Sequence, residues 1–147
     1  MGVLQLPIRL ERLITTGEWP DARSLGLDDR RWLDAIPKER VQAFAPEEEV
    51  IYLAKPPFRT VADEMEKQEE EDFWVRCGTL YQINPDRALI IGNFGFGSDA
   101  PIILHYSRYG TRIPVMYLRW GPYGRDNAWI EGAPDFDAFA AMIGLIS

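Results

Sequence analysis

Apolar positions along this chain recur with two different periods, and the change between them divides it. In the first half, Leu6, Leu10, Leu13 and Ile14 fall at i, i+4, i+7 and i+8, which predicts one face of a short helix. Gly17, Pro20 and Gly26 then break the chain, and Asp28 or Asp29 caps a second expected helix carrying Trp32, Leu33 and Ile36 that ends before Pro37. Residues 50–53 (Val-Ile-Tyr-Leu) read as a strand stopped by Pro56-Pro57. Thr60 suits the N-cap of one long acidic helix with a sparse apolar face of Val61, Met65, Phe73 and Trp74, ending near Gly78.

The second half turns to strand-like runs. Residues 88–91, 102–106, 115–120 and 128–131 are short and rich in β-branched and aromatic side chains. Turn chemistry lies between them, as at Asn84-Pro85-Asp86 and across 108–114. Asp135 then caps a final helix with Phe136, Phe139, Ala140 and Ile143 on one face. Consecutive strands with short connections predict an antiparallel meander rather than βαβ units. The expected architecture is α+β: an antiparallel sheet of about four to six strands, with N-terminal helices and a C-terminal helix covering one face. We read 1–147 as a single domain, with 1–45 its helical N-terminal part.

Between two of those strands lies the loop Gly92-Asn93-Phe94-Gly95-Phe96-Gly97-Ser98-Asp99-Ala100. Gly95 to Ala100 fits the letters G-x-G-x-x-G/A, which in dinucleotide-binding folds opens a helix whose N–H groups face a pyrophosphate. Here Pro101 and a β-branched apolar run follow, so the helix is missing and a strand-connecting loop is expected. Gly92, Gly95, Gly97, Ser98 and Asp99 are therefore assigned a structural role, with Ser98 and Asp99 expected to hydrogen-bond the backbone of their own loop. Phe94 and Phe96 are expected to anchor the loop in the core.

Composition narrows the chemistry. The 147 residues are 46% hydrophobic and 27% charged, ordinary values for a soluble globule. No run approaches the ~20 apolar residues of a membrane span. Residues 1–12 lack the pattern of a signal peptide, so a cytoplasmic protein without membrane association is expected. Cys77 is the only cysteine and His105 the only histidine, which leaves little for a zinc site or a nucleophilic triad. Cys77 reads as a small packed residue at a helix end, and His105 as a sheet residue. Asp99 with Asp126 or Glu131 would offer paired acids for acid–base chemistry only if folding brought them together. No catalytic residue, cofactor or metal is assigned.

Charge is unevenly spread. Residues 1–46 hold seven acids and seven bases, and residues 73–147 hold six of each. Residues 47–72 hold ten acids and three bases, so 10 − 3 accounts for the whole net charge of −7. Such a segment repels nucleic acid and steers a basic protein partner toward itself, or else is simply a solvated face. Glu64, Glu66, Glu69, Glu70, Glu71 and Asp72 are its candidate partner-binding residues. Aromatic and arginine side chains dominate interface energetics, which adds Tyr109, Arg119 and Tyr123, the last in the exposed turn Gly121-Pro122-Tyr123-Gly124. Tyr106, Trp120 and Trp129 are further candidates, with packing the favoured reading for both tryptophans.

The segment Ile90-Ile91-Gly92-Asn93-Phe94-Gly95-Phe96-Gly97-Ser98-Asp99-Ala100-Pro101-Ile102 resembles the "IGDFG-GSDxPI" signature of the SUKH superfamily, the Smi/Knr-like domains. Leu118-Arg119-Trp120 is similar to that family's "L-x-W" strand, Trp129-Ile130-Glu131 with Asp135 to Phe139 to its ending, and Pro56-Pro57-Phe58-Arg59-Thr60 to its "PPF-x-T" element. The resemblance covers about residues 50–145, departing at Asn93 and His105, where the family often has Asp. It implies an α+β fold and a non-catalytic, protein-binding role. In bacteria such proteins are mostly immunity proteins that neutralise a cognate polymorphic toxin, often a nuclease or deaminase, and eukaryotic relatives are interaction scaffolds. The expectation is thus a binder of a basic toxin domain, with an intracellular adaptor as the alternative and an enzyme behind both.

Overall fold

The computed structural model describes residues 4–19, 36–67, 71–95, 98–107 and 111–146. Its centre is a five-stranded antiparallel meander, β1 (Tyr52–Leu53), β2 (Ala88–Asn93), β3 (Pro101–His105), β4 (Val115–Arg119) and β5 (Ala128–Ala133), in spatial order β1-β2-β3-β4-β5. Five helices surround it among the described residues: α1 (Ile8–Thr16), α2 (Lys38–Phe44), α3 (Val61–Glu66), α4 (Glu71–Gly78) and α5 (Phe136–Met142). The α+β class is as the sequence pattern predicts.

The edge strand β1 is two residues long, and beyond it Thr60 forms an isolated bridge with Leu89. A bulge in β2 lies between Ile90 and Gly92. A side chain at Gly92 would place its Cβ 2.5 Å from the Tyr52 carbonyl oxygen, so β1 pairs closely there only because the residue is glycine.

The sheet is covered on both faces, not one. On one side Phe44 of α2 packs against Phe94, Tyr117 and Phe139, with ring centroids 6.3, 5.2 and 4.9 Å away. On the other, the Trp129 indole donates to the Cys77 carbonyl at the end of α4. Tyr117 and Leu118 are successive in β4 and so face opposite ways, yet both are buried, as are four of the five residues of β3 and of β4. Such near-continuous burial is the signature of a strand with both faces packed. The second layer is the acidic region itself, folded down onto the sheet.

That region is not one long helix. α3 stops at Glu66, and Lys67 (φ −79°, ψ 88°) has left helical geometry before α4 begins at Glu71. Both expected ends hold: Thr60 caps α3 and α4 ends at Gly78. The helix expected to end before Pro37 lies outside the described residues except for the buried Ile36. Pro37 instead serves as the N-cap of α2. Asp135 accepts from the Ala138 N–H at 2.8 Å and caps α5 as predicted.

Candidate protein-binding surface

A groove of about 500 Å³ runs between the N-terminal segment, the Pro56–Phe58 elbow and α3. Leu4, Leu6, Phe58, Ala62 and Leu89 form its apolar wall, and Asp63, Glu66 and Asp86 stand on its rim. No lysine or arginine lines it among the described residues. Leu4, Leu6, Phe58 and Ala62 are only half-buried, so the wall is open to a partner.

Each wall is held from behind. Trp19, fully buried, donates its indole N–H to the Ala54 carbonyl at 2.8 Å and meets Phe58 edge-on at 6.2 Å. The Tyr106 hydroxyl donates to the Gln5 carbonyl at 2.7 Å and ties the N-terminal segment down. α3 opens with a reciprocal capping box between Thr60 and Asp63. Asp86 is set by its N–H, which donates to the Asn84 side-chain oxygen at 3.1 Å.

The sequence-predicted acids divide. Glu66 is exposed on the groove rim. Glu64 turns away from the groove and takes Arg59 at 2.9 Å and Lys67 at 3.0 Å, so its charge is already neutralised and it is not a free partner-binding acid. Burial opposes the charge on Glu64, but the bonds to Lys67 and Arg59 outweigh it and hold the carboxyl below its ordinary pKa. Glu71 and Asp72 form the first turn of α4. Glu69, Glu70, Tyr109, Phe96 and Gly97 lie outside the described residues.

Among the aromatic candidates, Tyr123 is 99% exposed with φ +57°, whereas Tyr106 and Trp129 are buried and hydrogen-bonded inside the fold. Those two are packing residues, not contact residues. Trp120 is half-buried against Phe73 and donates its indole N–H to the Ser98 carbonyl at 2.7 Å. Arg119, exposed at the end of β4, lines a second cleft of about 420 Å³ with Glu47, Glu48, Ser98, Tyr117 and Trp120.

The glycine loop connects strands, as its following proline predicts. Gly95 has φ +77°, and a Cβ there would meet the Tyr52 ring at 2.5 Å, so glycine alone fits. The expected side-chain bonds are differently distributed. Asn93, not Ser98 or Asp99, closes the loop on itself by accepting the Gly95 N–H at 2.8 Å. An Asn oxygen serves this as an Asp oxygen would. Ser98 reaches outward and donates to Glu48 at 2.9 Å. Burial raises the Glu48 pKa, the Ser98 bond lowers it less, and Glu47 adds to the rise. Asp99 is exposed with φ +57°, a backbone conformation that Asp tolerates better than most residues. Phe94 is buried as expected.

The remaining chemistry-bearing groups are occupied structurally. His105 Nε2 accepts the Asn84 N–H at 3.1 Å, and burial, with Arg87 nearby, lowers its pKa. Cys77 is 1% exposed and burial pushes its thiol up to about 12, which removes the thiolate that reactivity needs. Glu131 pairs with Arg112 through both oxygens, at 3.0 and 3.2 Å, instead of joining Asp99. Among the described residues no group of three or more His, Cys, Asp or Glu is placed to hold a metal, and no helix is long and apolar enough to cross a membrane.

The groove escaped the sequence reading because three separate segments build it. Its one local signal is Pro56-Pro57-Phe58 two residues before the capping Thr60. Neither a protein-family model, nor a curated protein, nor a solved structure matches this chain.

Proposed function

We propose that this protein is a non-catalytic binding domain that captures a basic partner protein in the groove between its N-terminal segment and α3. The observation that carries the reading is the groove's composition: a half-buried apolar wall ringed by Asp63, Glu66 and Asp86, with no cation among its described lining residues. An apolar floor supplies affinity by excluding water, and a rim of one sign supplies orientation and a fast encounter. A basic segment bearing an aliphatic or aromatic anchor fits both features. Nucleic acid fits neither, since its phosphates meet three carboxylates.

The resemblance of residues 50–145 to the SUKH superfamily narrows the partner to a polymorphic toxin domain, and the protein to a cytoplasmic immunity protein. Toxins of the nuclease and deaminase classes bind nucleic acid and so carry the basic surface that this rim complements. The test is co-expression with the toxin encoded by an adjacent gene. Cells carrying the wild-type protein survive, and cells carrying the Glu66→Lys, Asp86→Lys double variant do not, although the variant accumulates to the same level. Failure of the wild-type protein to protect or to bind overturns the toxin reading.

A further inference from the structure

At the other end of the N-terminal layer, α1, α2 and the turn after α5 enclose a cleft of about 610 Å³ lined by Arg9, Arg12 and Arg40. Leu13, Leu145 and Ile146 give it an apolar side, and Glu18 is the one carboxylate among its described lining residues. The described lining thus carries three positive charges against one negative, in a chain of net charge −7.

Lys38, Arg59, Lys67 and Arg112 each pair with a glutamate. Arg9 and Arg12 are exposed and make no ion pair or hydrogen bond with any described residue. They stand at i and i+3 on α1, where like charges repel on one face. Arg40 is positioned by the fold: its Nη1 donates to the Ala141 carbonyl at 3.3 Å, at the negative end of α5. Its stem lies against Gly144, where an added Cβ would come within 3.1 Å of the Arg40 Cδ. Glu18 is itself engaged, accepting from the Thr16 hydroxyl at 2.9 Å. Among the described residues the fold thus gathers three guanidinium groups with one carboxylate beside them, and it orients Arg40 while Arg9 and Arg12 have no described partner.

We propose that this cleft binds a small molecule carrying adjacent phosphoryl groups. Guanidinium forks match phosphoryl oxygens two at a time, which is why arginine serves at such sites. Three positive charges balance a diphosphate near neutral pH, and the volume falls in the ~300–1,000 Å³ range of small-molecule sites. The apolar side formed by Leu13, Leu145 and Ile146 accommodates the organic part of the ligand. The site is separate from the acidic groove and stands independently of the partner-binding reading.

The probe is inorganic pyrophosphate, titrated calorimetrically into the full-length protein at 150 mM salt. The wild-type protein binds it saturably with one site. Arg12→Gln and Arg40→Gln each weaken binding about tenfold, the effect of losing one charge-assisted pair. Arg9→Gln/Arg12→Gln, both at exposed positions on α1, abolishes it without lowering the melting temperature. Glu18→Gln tightens binding severalfold, and Glu66→Lys on the distant groove rim leaves it unchanged. Absence of saturable binding by the wild-type protein, or binding indifferent to the arginine variants, overturns the proposal.

Discussion

Thr60 and Asp63 hold each other in a reciprocal pair: the Asp63 N–H donates to Thr60 Oγ1 at 3.0 Å, and the Thr60 N–H donates to Asp63 Oδ2 at 2.9 Å. The same carboxylate stands on the rim of the apolar groove. Asp63 therefore has a structural task and a place on the groove proposed to bind the partner, and substitution separates the two. Thr60→Ala loses the cap and lowers stability by about 1 kcal/mol, read from urea unfolding. Asp63→Asn keeps an accepting oxygen and loses only the charge, so it unfolds within about 0.5 kcal/mol of wild type while associating more slowly with a basic partner.

Trp129 joins the second helical layer to the sheet through its bond to the Cys77 carbonyl at 2.8 Å in a buried setting. Trp129→Phe retains most of the apolar contact and leaves that carbonyl unpaired. The expected cost is about 1–3 kcal/mol in chemical denaturation, the usual penalty for an orphaned buried acceptor. An unchanged midpoint would show that α4 does not depend on this bond.

The loop after β2 offers a backbone test. Gly95→Ala combines φ +77° with a Cβ driven into the Tyr52 ring, and destabilises by more than about 2 kcal/mol. Asp99→Ala costs about 1 kcal/mol because Ala is poorer than Asp at φ +57°, whereas Asp99→Gly costs less. Thermal melts rank the three, and partner affinity per folded molecule changes little in the two Asp99 variants, since that residue lines no part of the groove.

His105 gives stability a pH dependence of fixed sign. Burial, then Arg87, depresses its folded pKa below the unfolded value, so the unfolded chain takes up the proton first. The stability His105 contributes is complete above about pH 6.5, its unfolded pKa, and is lost as pH falls from there through the lowered folded value. His105→Gln keeps an acceptor for the Asn84 N–H and flattens this part of the stability–pH curve. Glu48, whose pKa is raised by burial, acts with the opposite sign: its contribution is complete below its ordinary value of 4.5 and is lost as pH rises through the raised folded value.

Local signals made the sheet and its last helix legible. β2 to β5 follow apolar, β-branched runs bounded by turn residues, and α5 begins at the Asp135 cap because that side chain satisfies an otherwise free N–H. The break at Lys67 has no glycine or proline to announce it, so the acidic stretch read as one helix. α2 was missed because Pro37 ends one helix as readily as it starts another, and only the chain that follows decides. Cover on both faces depends on α4 meeting Trp129, a contact that no periodicity encodes. The groove is less legible still: Leu4, Phe58 and Asp86 meet only in three dimensions. Charge counting gives Glu64 and Glu66 equal weight, because the sequence does not reveal that Arg59 and Lys67 neutralise Glu64 while Glu66 stands exposed at the groove.

The most direct test of the central claim is the affinity of the purified protein for its proposed partner, a toxin domain from an adjacent gene, measured for wild type and for the Glu66→Lys, Asp86→Lys variant at 150 mM salt. Both substitutions lie at exposed rim positions, so the variant melts near the wild-type temperature. The account predicts tight binding by the wild-type protein and at least about 100-fold weaker binding by the variant, with much of the loss in the association rate. Equal affinity for the two proteins, or no binding by the wild type, would contradict it.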